Sequence, residues 1–182
     1  MARLTNVKKA IINELATLVI SAYGIEIPND DIETIVKKIG GTIEESPSLG
    51  LYSDGMIEKV TPSASNEYNF VITVSSHQSN ERRRFTIAHE LGHLFLHMGY
   101  ILPEKWNTIT NETYYRIGSS IEEYEANEFA AALLMPADKF ELVLHLNIMD
   151  DEWVNTESIA RYFKVSEDAA SMRGKWLGYI EW

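Results

Sequence analysis

Phe85-Thr86-Ile87-Ala88-His89-Glu90-Leu91-Gly92-His93-Leu94-Phe95-Leu96 is a mostly apolar stretch that carries two histidines and a glutamate near its middle. On a helix, residues four apart face the same way, about 6 Å apart along the axis. Two imidazoles so placed can reach one metal ion through bonds of about 2.0 Å. The glutamate beside the first histidine projects close to the coordination position left open, where it can take a proton from water. The apolar neighbours predict a buried helix, and buried imidazoles and carboxylates must be paired, ligated or neutralised. Gly92 points the same way. A glycine inside a helix costs about 1 kcal/mol relative to alanine, so a close approach by another element is implied. The competing reading, two core histidines bonded to backbone, leaves Glu90 and Gly92 without a reason. His89 and His93 are therefore expected to be metal ligands and Glu90 the general base.

A catalytic zinc takes three protein ligands and leaves one position to water. His97 continues the four-residue series, but it lies about 12 Å from His89 along the axis, too far to share one ion. It is expected to support a ligand from beside the site, or to be partly exposed at the helix end. His77 and His145 have no companions and read as surface or loop residues. Glu122-Glu123-Tyr124-Glu125 opens the next helical stretch, and the third ligand is expected there. Glu123 shares a face with Ala126, Asn127, Ala130 and Leu134, a side rich in small residues that allows close packing on the histidine helix. Glu122 shares its face with Ala126 and Phe129, and Glu125 neighbours Glu128 and Phe129. Helical geometry favours Glu123 only slightly. Asn127, one turn beyond it, is expected to hydrogen-bond the outer nitrogen of a ligating imidazole.

Around these stretches the texture of the chain changes twice. Val7, Ile11, Ile12, Leu15, Leu18, Val19 and Ala22 predict an amphipathic opening helix over 6–23. Asn29-Asp30-Asp31 caps a second, short helix that Gly40-Gly41 stops. Strands are expected at 42–44, 55–60 and 68–74, separated by turn residues as in an antiparallel meander. Helices follow from 81 to about 98, 119 to 134, 138 to 146 and 156 to 177, the last as one or two. This order predicts an α+β fold in a single domain. N-terminal helices occupy 1–41, a small three-stranded antiparallel sheet 42–76, the metal-site helices 81–136 and a C-terminal helical part 138–182.

With 182 residues, 45% of them hydrophobic, the chain can bury a core without covalent staples. It has no cysteine, which excludes disulfides, thiolate metal sites, iron–sulfur clusters and a catalytic thiol. Its 27 acidic and 16 basic residues give a net charge of -11, so a phosphate backbone repels it unless its cations are concentrated. Arg82-Arg83-Arg84 is the dense basic cluster, and it reads as a solvated turn paired with nearby acids. The uncharged run 15–25 is too short to span a membrane, and Tyr23-Gly24-Ile25-Glu26-Ile27-Pro28 is a poor signal-peptide cleavage site. A cytoplasmic location is expected, with neither membrane nor direct nucleic-acid contact.

Arg84-Phe85-Thr86-Ile87-Ala88-His89-Glu90-Leu91-Gly92-His93, followed by Glu123-Tyr124-Glu125-Ala126-Asn127-Glu128-Phe129-Ala130-Ala131-Ala132-Leu133-Leu134-Met135-Pro136, resembles the ImmA/IrrE family of zinc metallo-endopeptidases in order and spacing. The resemblance implies a zincin-like fold and one zinc ion per chain, held by His89, His93 and Glu123, with Glu90 as the base. It implies a protein substrate, commonly a helix-turn-helix transcriptional repressor encoded beside the peptidase on a phage or other mobile element. Tyr100, Tyr114 and Tyr115 are within reach in sequence to stabilise the oxyanion, but nothing selects among them, and an ordinary core or surface position is favoured for each. Residues 106–120, which join the two ligand helices, are expected to form a loop at the rim of the cleft.

Two other readings stand beside this one. Residues 158–170 have the texture of a helix-turn-helix, but its second helix would begin with Glu167 and Asp168, where phosphates would have to approach. An αα-hairpin closing the core is favoured. The chain could also be a zinc-containing interaction module, regulatory or antitoxin-like, without turnover. Glu90 and an open fourth position argue against it, because a structural zinc is closed by four protein ligands.

Overall fold

The computed structural model describes residues 4–49, 54–63, 66–109, 120–147 and 154–180. Its elements run α1 (Asn6–Ala22), α2 (Ile32–Ile39), β1 (Gly41–Ser46), β2 (Gly55–Lys59), β3 (Phe70–Ser75), α3 (Asn80–Leu96), α4 (Pro103–Thr108), α5 (Ser120–Leu134), α6 (Ala137–His145), α7 (Thr156–Phe163) and α8 (Glu167–Leu177). Side chains start several of these helices. Thr5, Asp31, Ser79, Asn155 and Ser166 each accept a hydrogen bond from the backbone N–H three residues on. Gly40, at φ 102°, ends α2 in the left-handed conformation that glycine adopts without strain.

The sheet differs from the expected meander. Its strand order is β1-β3-β2, with β1 parallel and β2 antiparallel to β3, so it is mixed rather than purely antiparallel. Composition explains the order. Phe70, Ile72 and Val74 of β3 are fully buried, and Thr73 and Ser75 on the opposite parity are nearly so. A strand buried on both faces takes the centre, while the more polar β1, with Glu44 and Glu45 exposed, lies at an edge.

α3 packs on α5 on one side and on β2 and β3 on the other, and α1 covers α5. On α1 the buried residues are Ile12, Ala16 and Val19, whereas Val7, Ile11 and Leu18 of the expected apolar face are exposed. At 100° per residue the seven apolar side chains span about 140°, and α5 covers only the half that includes Ile12 and Val19. α4 occupies the start of the segment expected as a loop; Pro103 opens it, and Lys59 Nζ ties it to β2 by donating to the carbonyls of Trp106 (2.7 Å) and Ile109 (2.9 Å). Residues 110–119 of that segment lie outside the described residues. The C-terminal stretch forms two helices, with Lys164 at φ 57° between them. Ile159, Phe163 and Ala170 are buried, and Phe163 stacks on Phe140 of α6 with ring centroids 5.9 Å apart. Among the described residues no helix is long and apolar enough to cross a membrane.

Candidate metal centre

The close contact of α3 with α5 begins at Gly92. A Cβ there would stand 2.9 Å from both the Cα and the carbonyl oxygen of Ala126, so only glycine lets the two helices approach this far. The spacing on α3 sets the His89 and His93 rings side by side, with centroids 4.8 Å apart and Nε2 atoms 3.0 Å apart. Glu123, in the first turn of α5, reaches both. Its Oε2 is 3.3 Å from His89 Nε2 and its Oε1 is 3.4 Å from His93 Nε2.

The donor set fits a zinc-sized cation. Bonds of about 2.0–2.1 Å at tetrahedral angles put neighbouring donor atoms about 3.3 Å apart, which matches these separations. The three groups all bring a donor within 4.8 Å of one another and could hold a metal ion. The proton arrangement points the same way. His89 Nδ1 is 2.9 Å from Asn127 Oδ1, and an amide oxygen can only accept, so the His89 proton sits on Nδ1. Its Nε2 lone pair then faces a carboxylate, an arrangement that a cation between them stabilises.

Glu90 is only 2% exposed, between its chain neighbour His89 and the start of β2. A Cβ on Gly55 would come within 2.6 Å of Thr86 Cγ2 and 3.1 Å of Glu90 Oε1, so the bare backbone at residue 55 leaves the carboxylate its place.

Of the other acids considered as ligands, Glu125 points elsewhere. Its Oε2 is 3.1 Å from His97 Nε2 and its Oε1 is 3.0 Å from Lys8 Nζ on α1. Burial pushes the Glu125 carboxyl up, but the hydrogen bonds from His97 and Lys8 outweigh it and hold the group below the usual carboxylate range. Glu122 is half-buried and is not part of the converging set. His97 caps the C-terminus of α3 and lies beside the site, with its Nδ1 2.9 Å from His93 Nδ1. The four-residue step from His93 was the sequence signal for it. Nothing in the sequence pairs Lys8 with Glu125.

A family model described as the IrrE N-terminal-like domain, a peptidase family, matches residues 52–175. The chain belongs to that family. The matched segment holds His89, Glu90, His93 and Glu123, while α1, α2 and β1 precede it. A transcriptional regulator of Mycobacterium tuberculosis has a similar fold, with a TM-score of 0.57 and 14% identity over 90% of this chain and 46% of that one. At this identity the likeness concerns the fold alone, and the IrrE-like chain spans just under half of the regulator's length. No curated protein matches it.

The remaining candidates of this IrrE-like chain lie away from the ligand triangle. The Tyr100 hydroxyl donates to the Ile39 carbonyl at 2.7 Å, and its ring packs on Phe70, Phe95 and Trp106. Burial pushes its pKa to about 12. Tyr100 thus packs half-buried against the core, and Tyr114 and Tyr115 lie outside the described residues. His77 and His145 are exposed, as expected. Arg82 pairs with Asp54, and Arg83 with Glu33 and Glu45, as expected for a solvated turn. Arg84 departs from that expectation. It is 5% exposed because it shares the inward face of α3 with Ile87, Ala88 and Leu91.

Proposed function

We propose that this chain is a zinc-dependent endopeptidase that cuts a specific cytoplasmic protein, a helix-turn-helix repressor of a phage or other mobile element. The observation that carries the reading is the convergence of His89, His93 and Glu123 beside the buried Glu90, in a chain of a metallopeptidase-class family. When bound, zinc supplies Lewis acidity, making water nucleophilic near neutral pH and polarising a carbonyl. His89 and His93 offer Nε2 to the ion, and Glu123 offers a carboxylate oxygen and a negative charge. Glu90 takes a proton from the attacking water on a carboxylate oxygen and returns it to the departing amide nitrogen. The C–N bond breaks and a new C–O bond takes its place.

Protein purified without added metal is expected to carry one zinc per chain. Chain that holds no metal, and takes up none at neutral pH, would end the peptidase reading. Incubated with a small helix-turn-helix protein encoded beside it, the zinc-loaded chain should cut that protein, as read by mass spectrometry of the fragments. Glu90→Gln should keep the zinc and lose the cut, and cleavage retained in that variant would overturn Glu90 as the base. Tight binding of the repressor with no cut by the wild-type chain would favour the interaction-module reading instead.

A further inference from the structure

We propose that His97 and Glu125 are positioning residues of the metal centre. A hydrogen-bonded chain runs from Lys8 through Glu125 and His97 to His93, and it holds His93 in the tautomer that presents Nε2 to the ion. The inference rests on the metallopeptidase reading above and extends it to α1, which lies outside the family-matched segment 52–175.

Each link is at hydrogen-bond distance. Lys8 Nζ is 3.0 Å from Glu125 Oε1, Glu125 Oε2 is 3.1 Å from His97 Nε2, and His97 Nδ1 is 2.9 Å from His93 Nδ1. With the imidazoles neutral, one proton arrangement satisfies all of them. An ionised carboxylate only accepts, so His97 carries its proton on Nε2 and donates it to Glu125. The lone pair of a neutral His97 is then on Nδ1, so the proton between the two imidazoles belongs to His93 Nδ1. That leaves the lone pair of His93 on Nε2, the atom that faces His89 and Glu123. Asn127 imposes the same tautomer on His89, so both ligands are set from outside the triangle. The His97 and Glu125 side chains are only 7% and 10% exposed, which shields these bonds from competing water. Lys8, 48% exposed, closes the chain at the surface and balances the carboxylate.

The test is metal affinity of the full chain, stripped and then titrated with zinc against a chromophoric chelator and with cobalt(II) read by visible absorption. His97→Leu and Glu125→Leu are expected to weaken zinc binding about 10–100-fold and to change the cobalt spectrum. His97→Asn puts an amide oxygen where the imidazole Nδ1 stands, within reach of the His93 Nδ1–H, and should recover most of the affinity, which a purely structural role for His97 does not predict. Wild-type affinity in both leucine variants overturns the proposal. Should Glu125→Leu fail to fold, the His97 pair decides alone: equal loss in His97→Leu and His97→Asn overturns it. A wild-type chain that binds neither metal overturns the metallopeptidase reading instead.

Discussion

Asn127 accepts from His89 Nδ1 at 2.9 Å, and that single bond selects which nitrogen of the imidazole is left for a metal. Asn127→Leu removes the acceptor, so zinc affinity measured by chelator competition should fall about tenfold or more. Unchanged affinity would take Asn127 out of the metal centre. The histidines were legible from spacing alone, because a four-residue step on one helix guarantees a shared face. The choice among Glu122, Glu123 and Glu125 was not. Successive helical residues point about 100° apart, so the ligand depends on how α5 is rotated about its own axis. Ala126, Phe129, Ala130, Ala132, Leu133 and Leu134 are all buried and leave that rotation undetermined by any apolar stripe. The family resemblance named Glu123, and in the structure it is Glu123 that approaches both imidazoles.

Where α3 meets α5, the contact is backbone against backbone, and this gives Gly92 its weight. A methyl group in Gly92→Ala would strike the Cα and carbonyl oxygen of Ala126, neither of which can rotate aside. We expect a loss of about 1–3 kcal/mol from overpacking, read by denaturant unfolding. Weaker zinc binding should accompany it, because pushing the helices apart carries Glu123 away from the histidines. At the start of α2, hydrogen bonds from Thr34 hold the Asp31 carboxyl below its usual range. The ionised form therefore stabilises the fold. That contribution is complete above the unfolded pKa of about 3.9 and is lost as the pH falls through the lower folded value. Asp31→Asn keeps a capping oxygen without the charge, so its melting temperature should fall less steeply with acid than that of wild type. An identical acid limb in the two proteins would refute this. Element boundaries of this kind were readable in the sequence, since caps and stop glycines act over three or four residues. Strand order was not, because it depends on which strand must be covered on both faces.

Across the whole molecule, one buried cation joins three helices. Arg173 of α8, 2% exposed, donates to Glu128 of α5 (3.2 Å), to Asn13 of α1 (2.7 Å) and to the Met135 carbonyl (3.0 Å). Arg173→Leu leaves the Glu128 carboxylate buried without its cation and should cost about 3–5 kcal/mol of stability. Adding Glu128→Leu should restore part of the loss, since removing both charges spares the desolvation of either. Calorimetry of the single and double variants checks this, and equal melting temperatures for the two would refute it. The sequence by itself determined the paired histidines, the adjacent glutamate, the order of the helices and strands apart from α4, and the close contact at Gly92. Each of these follows from spacing, periodicity or steric size within a few residues. Only the tertiary structure decided the mixed sheet, the exposed half of the α1 apolar face, the burial of Arg84 and the run from Lys8 through Glu125 and His97 to His93. Those depend on how rigid elements rotate and dock on partners distant in the chain, and local periodicity carries no information about either.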